Sequence, residues 1–320
     1  MTARRARLKQ GVLAGIKEGW RGFIWIGQIA LPVSLLVTLL HWTGWLNYLD
    51  FLLNPLMSLL NLPPEAALPI ITGMLISPYT GIGIITVIPF TPPQMLLIAI
   101  FTMTAHSLIT EGIIQHKSGL NAVKATLIRI AAAALTVLVV SWFLGDTRQS
   151  VTLSAGLTVQ PPFLEVLWGW VLEMVNLLLK ILVIIMFIMI LLESLKSLGW
   201  IEYLLRFFSP LVQAIGLSRR TAMMWVTANI FGLLYGSAVI AEEVKKTNFS
   251  KGELERLHIF IGIHHSVVED PALFAALGLN LFWLLLPRFV IAVLAVQAYR
   301  LWETLRRYGG IRLAQVDRQQ

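Results

Sequence analysis

Between Leu167 and Leu192 the only ionisable side chains are Glu173 and Lys180, and nearly every other residue is Leu, Ile, Val, Met, Trp or Phe. A helix needs roughly 20 such residues to cross about 30 Å of hydrocarbon. Gly22–Leu40, Met95–Ile114, Leu127–Leu144 and Leu281–Ala298 are stretches of the same kind. Lipid offers a backbone N–H or C=O no partner, so runs like these must close their hydrogen bonds internally, as helices. The alternation of an outer-membrane barrel is absent. The chain therefore reads as an all-α polytopic membrane protein whose first partner is the lipid bilayer.

The charges agree. Only 13% of the residues are charged and 57% are hydrophobic, against roughly a quarter charged in a soluble domain. A net charge of +8 would suggest nucleic acid as the partner of a soluble chain. Here the basic residues gather in the tails and a few loops, as orientation in a membrane demands, so no nucleic-acid partner is expected. Arg4, Arg5, Arg7, Lys9, Lys17 and Arg21 precede or open the first apolar run. That run is too long for a signal peptide, and no small-residue cleavage pattern follows it. With no cysteine in the chain, disulfides, thiolate metal sites and Cys nucleophiles are excluded.

The sequence repeats itself. At an offset of 155, Gly44-Trp45 falls on Gly199-Trp200, Tyr48-Leu49 on Tyr203-Leu204, Pro55-Leu56 on Pro210-Leu211, Thr72 on Thr227 and Gly81 on Gly236. At an offset of 159, His106-Ser107 falls on His265-Ser266, Gly119-Leu120-Asn121 on Gly278-Leu279-Asn280, and Arg129 on Arg288. Matches at Trp, Tyr, Pro, His, Asn and Arg are not what shared apolarity produces, so two related units are expected. They span 1–144 and 164–320, joined by a polar linker, 145–163. Each opens with a long helix (15–41 and 164–196). An amphipathic interfacial stretch follows (45–61 and 200–216), then a broken apolar segment (66–90 and 221–243). Two more long helices close each unit (94–114 and 122–144; 255–276 and 280–304).

Gly and Pro interrupt the broken segments at Ser77–Gly83 and Gly232–Ser237. Each is either one kinked crossing or a re-entrant hairpin, and the basic residues choose between these. If the segments are hairpins, the tracts holding Lys117, Lys124, Lys196, Arg206, Arg219, Arg220, Lys245, Lys246 and Lys251 all fall on the side of both tails. Only Arg148 lies opposite. That arrangement obeys the positive-inside tendency. It gives six crossings and two hairpins, both termini on the cytoplasmic side of a prokaryotic inner membrane, and two halves of three crossings each in opposite orientation. Inverted repeats of this kind are common among secondary carriers.

Irregular backbone at membrane depth is tolerated where it is buried in protein or lines a cavity. The hairpin tips are therefore candidate substrate-binding positions: Ser77, Tyr79, Thr80, Gly81 and Gly83 in the first, Asn229, Tyr235, Gly236 and Ser237 in the second. Close helix packing by small residues is the competing explanation. A second constellation is His265, Ser266, Glu269 and Asp270, with His106, Ser107 and Glu111 in the first half. On a continuous helix His265 would share a face with Glu269, and Ser266 with Asp270. Ionisable groups in a membrane helix point to coupling with protons or Na⁺, or to a buried polar network joining the halves. Arg129 and Arg288 lie near helix starts, where snorkelling to the interface is the default expectation. The chain has no local metal-ligand spacing such as H-E-x-x-H, no phosphate-cradling loop and no G-x-S-x-G elbow, so neither an enzyme, a metal site nor a cofactor is read from it.

Together the Gly-Trp openings, the Pro-centred amphipathic stretch, the broken segments Ser77–Gly83 and Leu233–Ser237, and His265-Ser266-Val267-Val268-Glu269-Asp270 resemble the nucleoside recognition, or Gate, family of membrane proteins over roughly residues 15–305. That family is related to concentrative nucleoside transporters, the membrane region of bacterial ferrous-iron transporters and spore maturation membrane proteins. The resemblance implies a transport-like core for a small polar solute, with nucleosides among the candidates, working by alternating access. It also leaves room for a module acting through a membrane partner or a homo-oligomer, and for a divalent metal carrier. The chain departs from the iron transporters in lacking a GTPase domain and a Cys in the Gate segments. It is also shorter than a nucleoside carrier and has no recognisable ribose-binding acid–amide set.

Overall fold

The computed structural model describes residues 2–44, 54–149 and 162–316. Among them there is no strand. The chain is an integral membrane protein, and five described stretches are long and apolar enough to cross a bilayer: Arg4–Leu40, Pro92–Lys117, Ala122–Leu144, Phe163–Ser197 and Leu281–Arg306. Most of the interfacial stretch 45–61 and of the linker 145–163 lies outside the described residues.

Helix α1 runs from Thr2 to Trp42. After a 3-10 turn at Pro64–Ala66 come α2, Ala67–Leu75, and α3, Pro78–Val87. Then follow α4, Pro92–Thr104, α5, Leu108–Lys117, and α6, Ala122–Leu144. Helix α7 is Phe163–Ser197 and α8 is Ile201–Ala214. The last four are α9, Ala222–Lys246, α10, Lys251–Ile263, α11, Glu269–Ala275, and α12, Leu281–Val316.

Local chemistry sets the starts. Thr91 and Gln94 form a reciprocal capping box ahead of α4, and Ser250 and Glu253 do the same for α10. Each box satisfies two amide donors that the first turn would leave bare. Asn121 accepts from the amides of Val123 and Lys124 to cap α6, and Asn280 accepts from that of Phe282 at α12.

The two long opening helices pack antiparallel. Gly11 faces Ser194 and Ser197, Gly15 faces Ile190, and Gly19 faces Met186, so ascending residues on α1 meet descending residues on α7. A Cβ on Gly15 would sit 2.4 Å from the Ile190 Cα. Hydrophobicity cannot draw helices together in lipid. Close backbone approach at small residues supplies the dispersion that does. The outer faces keep Leu36, Leu172, Val183 and Phe187 exposed, as lipid contact requires.

Both broken segments turn back on themselves. Helices α2 and α3 are separated by Ile76 and Ser77, and Gly81 on α3 lies against the carbonyl oxygen of Pro69 on α2. In α9, Gly232 adopts φ 81° and ψ 165°, and Gly236 consequently reaches the backbone of Ala228, at 3.0 Å for a Cβ placed there. In a straight helix, residues eight apart would be separated by about 12 Å at 1.5 Å per residue.

One expectation fails. Residues 94–114 and 255–276 are not continuous helices. The first is divided at 105–107 between α4 and α5, and the second at 264–268 between α10 and α11. At the heart of each break a serine takes the left-handed region, Ser107 with φ 47° and Ser266 with φ 50°. Both of these expected crossings are therefore divided into two short helices, none of which is long enough to span alone.

Candidate functional site

The two divided helices meet in the interior. His106 Nε2 lies 3.1 Å from His265 Nε2. Glu111 Oε1 lies 3.1 Å from the first and 3.3 Å from the second. All three residues are buried. The i,i+4 arrangement expected of His265 with Glu269 and of Ser266 with Asp270 does not form, because non-helical backbone holds His265 and Ser266. His265 instead meets side chains of the other half.

Arg129 and Arg288 do not snorkel. They are 2% and 0% exposed, and both guanidinium groups turn into the breaks. Arg129 donates to the carbonyls of Thr104, at 3.1 Å, and His106, at 2.8 Å, while its Nη1 pairs with Glu111 Oε2 at 2.6 Å. Arg288 donates to the carbonyls of Met103, at 2.7 Å, and Ile263, at 3.2 Å, and approaches that of His265 at 3.5 Å. A helix broken in lipid frees carbonyls that no water can reach. A buried guanidinium, with five donors in a fixed fork, is a suitable group to satisfy them. Asp270 is buried and lies within electrostatic reach of Arg288.

Each break also docks on the neighbouring turned segment. The Ser107 amide donates to Gly73 O at 3.1 Å, and its hydroxyl to Ile76 O at 3.0 Å. The Ser266 amide lies 3.3 Å from Ala228 O, and the Val267 amide 2.8 Å from Asn229 O.

The hairpin candidates divide between two places. Tyr79 leaves the first hairpin and donates its hydroxyl to Glu269 of the second half. Ser77 is buried at the break, its carbonyl accepting from the Thr80 hydroxyl at 2.6 Å. Gly81 and Gly236 serve close backbone approach. Asn229 lies apart from these. Its amide nitrogen donates to Trp225 O at 2.9 Å, and its oxygen lies 3.0 Å from His264 Nδ1. Ser237 is half-buried on the returning limb of α9. The Tyr235 side chain lies outside the described residues.

Asn229 and His264 lie at the edge of the central cluster and line a cavity of about 480 Å³. Its other walls are apolar and aromatic, with Phe208 and Leu211 from α8, Trp225 and Ile230 from α9, and Phe282 and Phe289 from α12. An apolar, aromatic lining is the usual make-up of a small-molecule pocket. Sequence reasoning missed His264 and the inward turn of both arginines. The signal available was the offset of 159 that places Glu111 on Asp270 as well as Arg129 on Arg288. Acid and base thus recur together.

The family model for nucleoside recognition, Gate, matches residues 23–119. The chain is 31% identical over 294 residues to the uncharacterized membrane protein YvoD of Bacillus subtilis (strain 168), an alignment covering 91% of this chain and 94% of that protein. No solved structure matches the chain.

Proposed function

For a chain that belongs to the Gate, or nucleoside recognition, family of membrane proteins, we propose a secondary transporter of a small polar solute, with nucleosides the first class to test. The observation that carries this reading is the cavity of about 480 Å³ beside the second helix break. Its aromatic walls at Phe208, Trp225 and Phe289 suit the face of a flat ring. Asn229 and His264 are the polar residues in its lining, buried and bonded to each other, so a solute's polar groups would have to displace that contact to be read by them. The cavity adjoins non-helical backbone, which is where carriers bind their solutes.

Alternating access is the mechanism we propose, with the two halves in opposite orientation in a prokaryotic inner membrane and both termini cytoplasmic. The antiparallel course of α1 and α7, the opening helices of the two halves, supports that orientation. So does the distribution of basic residues. Coupling to protons or Na⁺ belongs to the same proposal, with the polar groups between the two breaks as its place. In that mechanism the solute cavity would open alternately as the halves rock about the buried cluster.

The test is thermal unfolding of the purified protein in detergent against nucleosides and nucleobases, with pH and Na⁺ varied. A ligand at a hundred times its dissociation constant stabilises the native state by about 2.7 kcal/mol. A nucleoside shift that disappears in Asn229→Ala supports the reading. A shift unchanged in Asn229→Ala removes the cavity from it. No shift with any member of the panel turns the weight toward a module that acts through a membrane partner.

A further inference from the structure

We propose that His106, His265 and Glu111 form a binding site for one divalent transition-metal ion of the Zn²⁺ class, which joins the two helix breaks. The site is independent of the identity of the transported solute.

The donor atoms settle the first step. His106 Nδ1 lies 3.2 Å from the carbonyl oxygens of both Thr102 and Met103. A carbonyl only accepts, so Nδ1 keeps its hydrogen, and whenever the ring is neutral Nε2 presents a lone pair to the cluster. This backbone contact is the outer support that metal-binding histidines usually have. Glu111 turns Oε1 to the two rings and leaves Oε2 on Arg129, at 2.6 Å. It is thereby held as a monodentate donor.

The three inward atoms, Nε2, Nε2 and Oε1, form a triangle with sides of 3.1, 3.1 and 3.3 Å. Protons can bridge these sides, as in a His106–Glu111 ion pair, and a metal ion would take the place of those protons. One cation above the triangle would be within reach of all three atoms. A tetrahedral ion with Zn–N and Zn–O bonds of about 2.0–2.1 Å has ligands about 3.3 Å apart, which is close to this triangle. Two imidazoles and a carboxylate suit Zn²⁺, Fe²⁺, Co²⁺ or Mn²⁺ better than Mg²⁺ or Ca²⁺, which favour all-oxygen shells.

A fourth position has a resident candidate. Asp270 is buried, its Oδ2 has no hydrogen-bond partner, and it lies 4.0 Å from His106 Nε2. Two arginines and three carboxyl groups surround the site. Arg129 and Arg288 face Glu111 and Asp270, and Glu269 adds a third carboxyl group held by Tyr79.

The experiment uses full-length, untagged protein in detergent, stripped with a chelator and titrated with Co²⁺. The expected result is a visible Co²⁺ absorption band of tetrahedral character saturating at roughly one equivalent per chain. Zn²⁺ should displace it, and Mg²⁺ in large excess should not. His106→Gln, His265→Gln and Glu111→Gln should each weaken Co²⁺ binding by more than the roughly 10–100-fold that loss of an outer partner costs. Elution volume and far-UV circular dichroism identify variants that fold. The two histidines come from different halves, so either variant reads the site if the other does not accumulate. Retention of less than roughly a tenth of an equivalent by the wild-type protein overturns the site, against the affinity expected of His and carboxylate ligands. Full stoichiometry in a folded His106→Gln or His265→Gln overturns it too, and displacement by Mg²⁺ overturns the transition-metal assignment.

Discussion

His106 and His265 stand 159 residues apart in sequence and meet through their Nε2 atoms at 3.1 Å. Each occupies a helix break, each is followed by a serine with positive φ, and each break has an arginine donating to its carbonyls. The arginines are themselves 159 residues apart. The contact therefore joins two sites with the same local build, one from each half of the chain.

The proposed opposite orientation of the halves predicts opposite labelling. The chain has no native Cys, so single cysteines report cleanly. Asn54→Cys should react with an impermeant maleimide added to intact cells, and Ser209→Cys only after the cells are opened. Reaction of both from the same side would rule out the inverted arrangement.

The Glu111–Arg129 pair is buried, and removing one member of a buried pair typically costs about 3–5 kcal/mol because the other is stranded. Arg129→Met and Glu111→Gln should each lower the unfolding temperature strongly. The double variant should lose less than the sum, since the two groups share one interaction. Additive losses would show that the pair does not act as a unit.

Tyr79→Phe removes the hydroxyl that the first hairpin gives to Glu269. Glu269 is half-buried, so the loss of its donor should cost no more than the roughly 1–3 kcal/mol of a fully buried acceptor. Thermal unfolding followed by Trp fluorescence should show a measurable drop within that bound. An unchanged midpoint would mean the link carries no stability.

The seam between α1 and α7 depends on Gly15. Its Cβ position is 2.4 Å from the Ile190 Cα, and that backbone cannot yield as a flexible side-chain tip would. Gly15→Leu should force the helices apart and cost at least the roughly 1–3 kcal/mol typical of overpacking. Gly27, with nothing within 4 Å of its Cβ position, is the control, and Gly27→Ala should be nearly silent. Equal effects at the two positions would remove the seam as the cause.

The apolar runs made the helical class legible, because hydrocarbon leaves a backbone few choices. The breaks at Ser77 and Gly232 were legible too, since Pro78 and Gly232 mark them directly. The breaks at His106 and His265 were hidden. Neither contains Gly or Pro, and Ser107 and Ser266 hold positive φ, which a serine adopts only when its surroundings demand it. Those surroundings are Arg129, Arg288 and the carbonyls of Gly73 and Ala228, all distant in sequence from the break they stabilise. The same fact explains the misreading of the arginines. A position near a helix start suggests the interface, and only the three-dimensional path shows that bare carbonyls lie nearer than water. Nothing in the sequence marks out His264 beside His265, because its role depends on Asn229, which reaches it from another helix.

Arg288 holds Met103 of one divided helix together with Ile263 of the other through a single guanidinium. Such a group works like an axle pin. The two breaks can tilt about it while its hydrogen bonds persist, but they cannot slide past one another without stripping both carbonyls bare in a place with no water to replace it. In the alternating-access mechanism proposed above, movement is then expected to be a rotation, with the least displacement at Arg288 and the greatest at the far ends of the helices it joins.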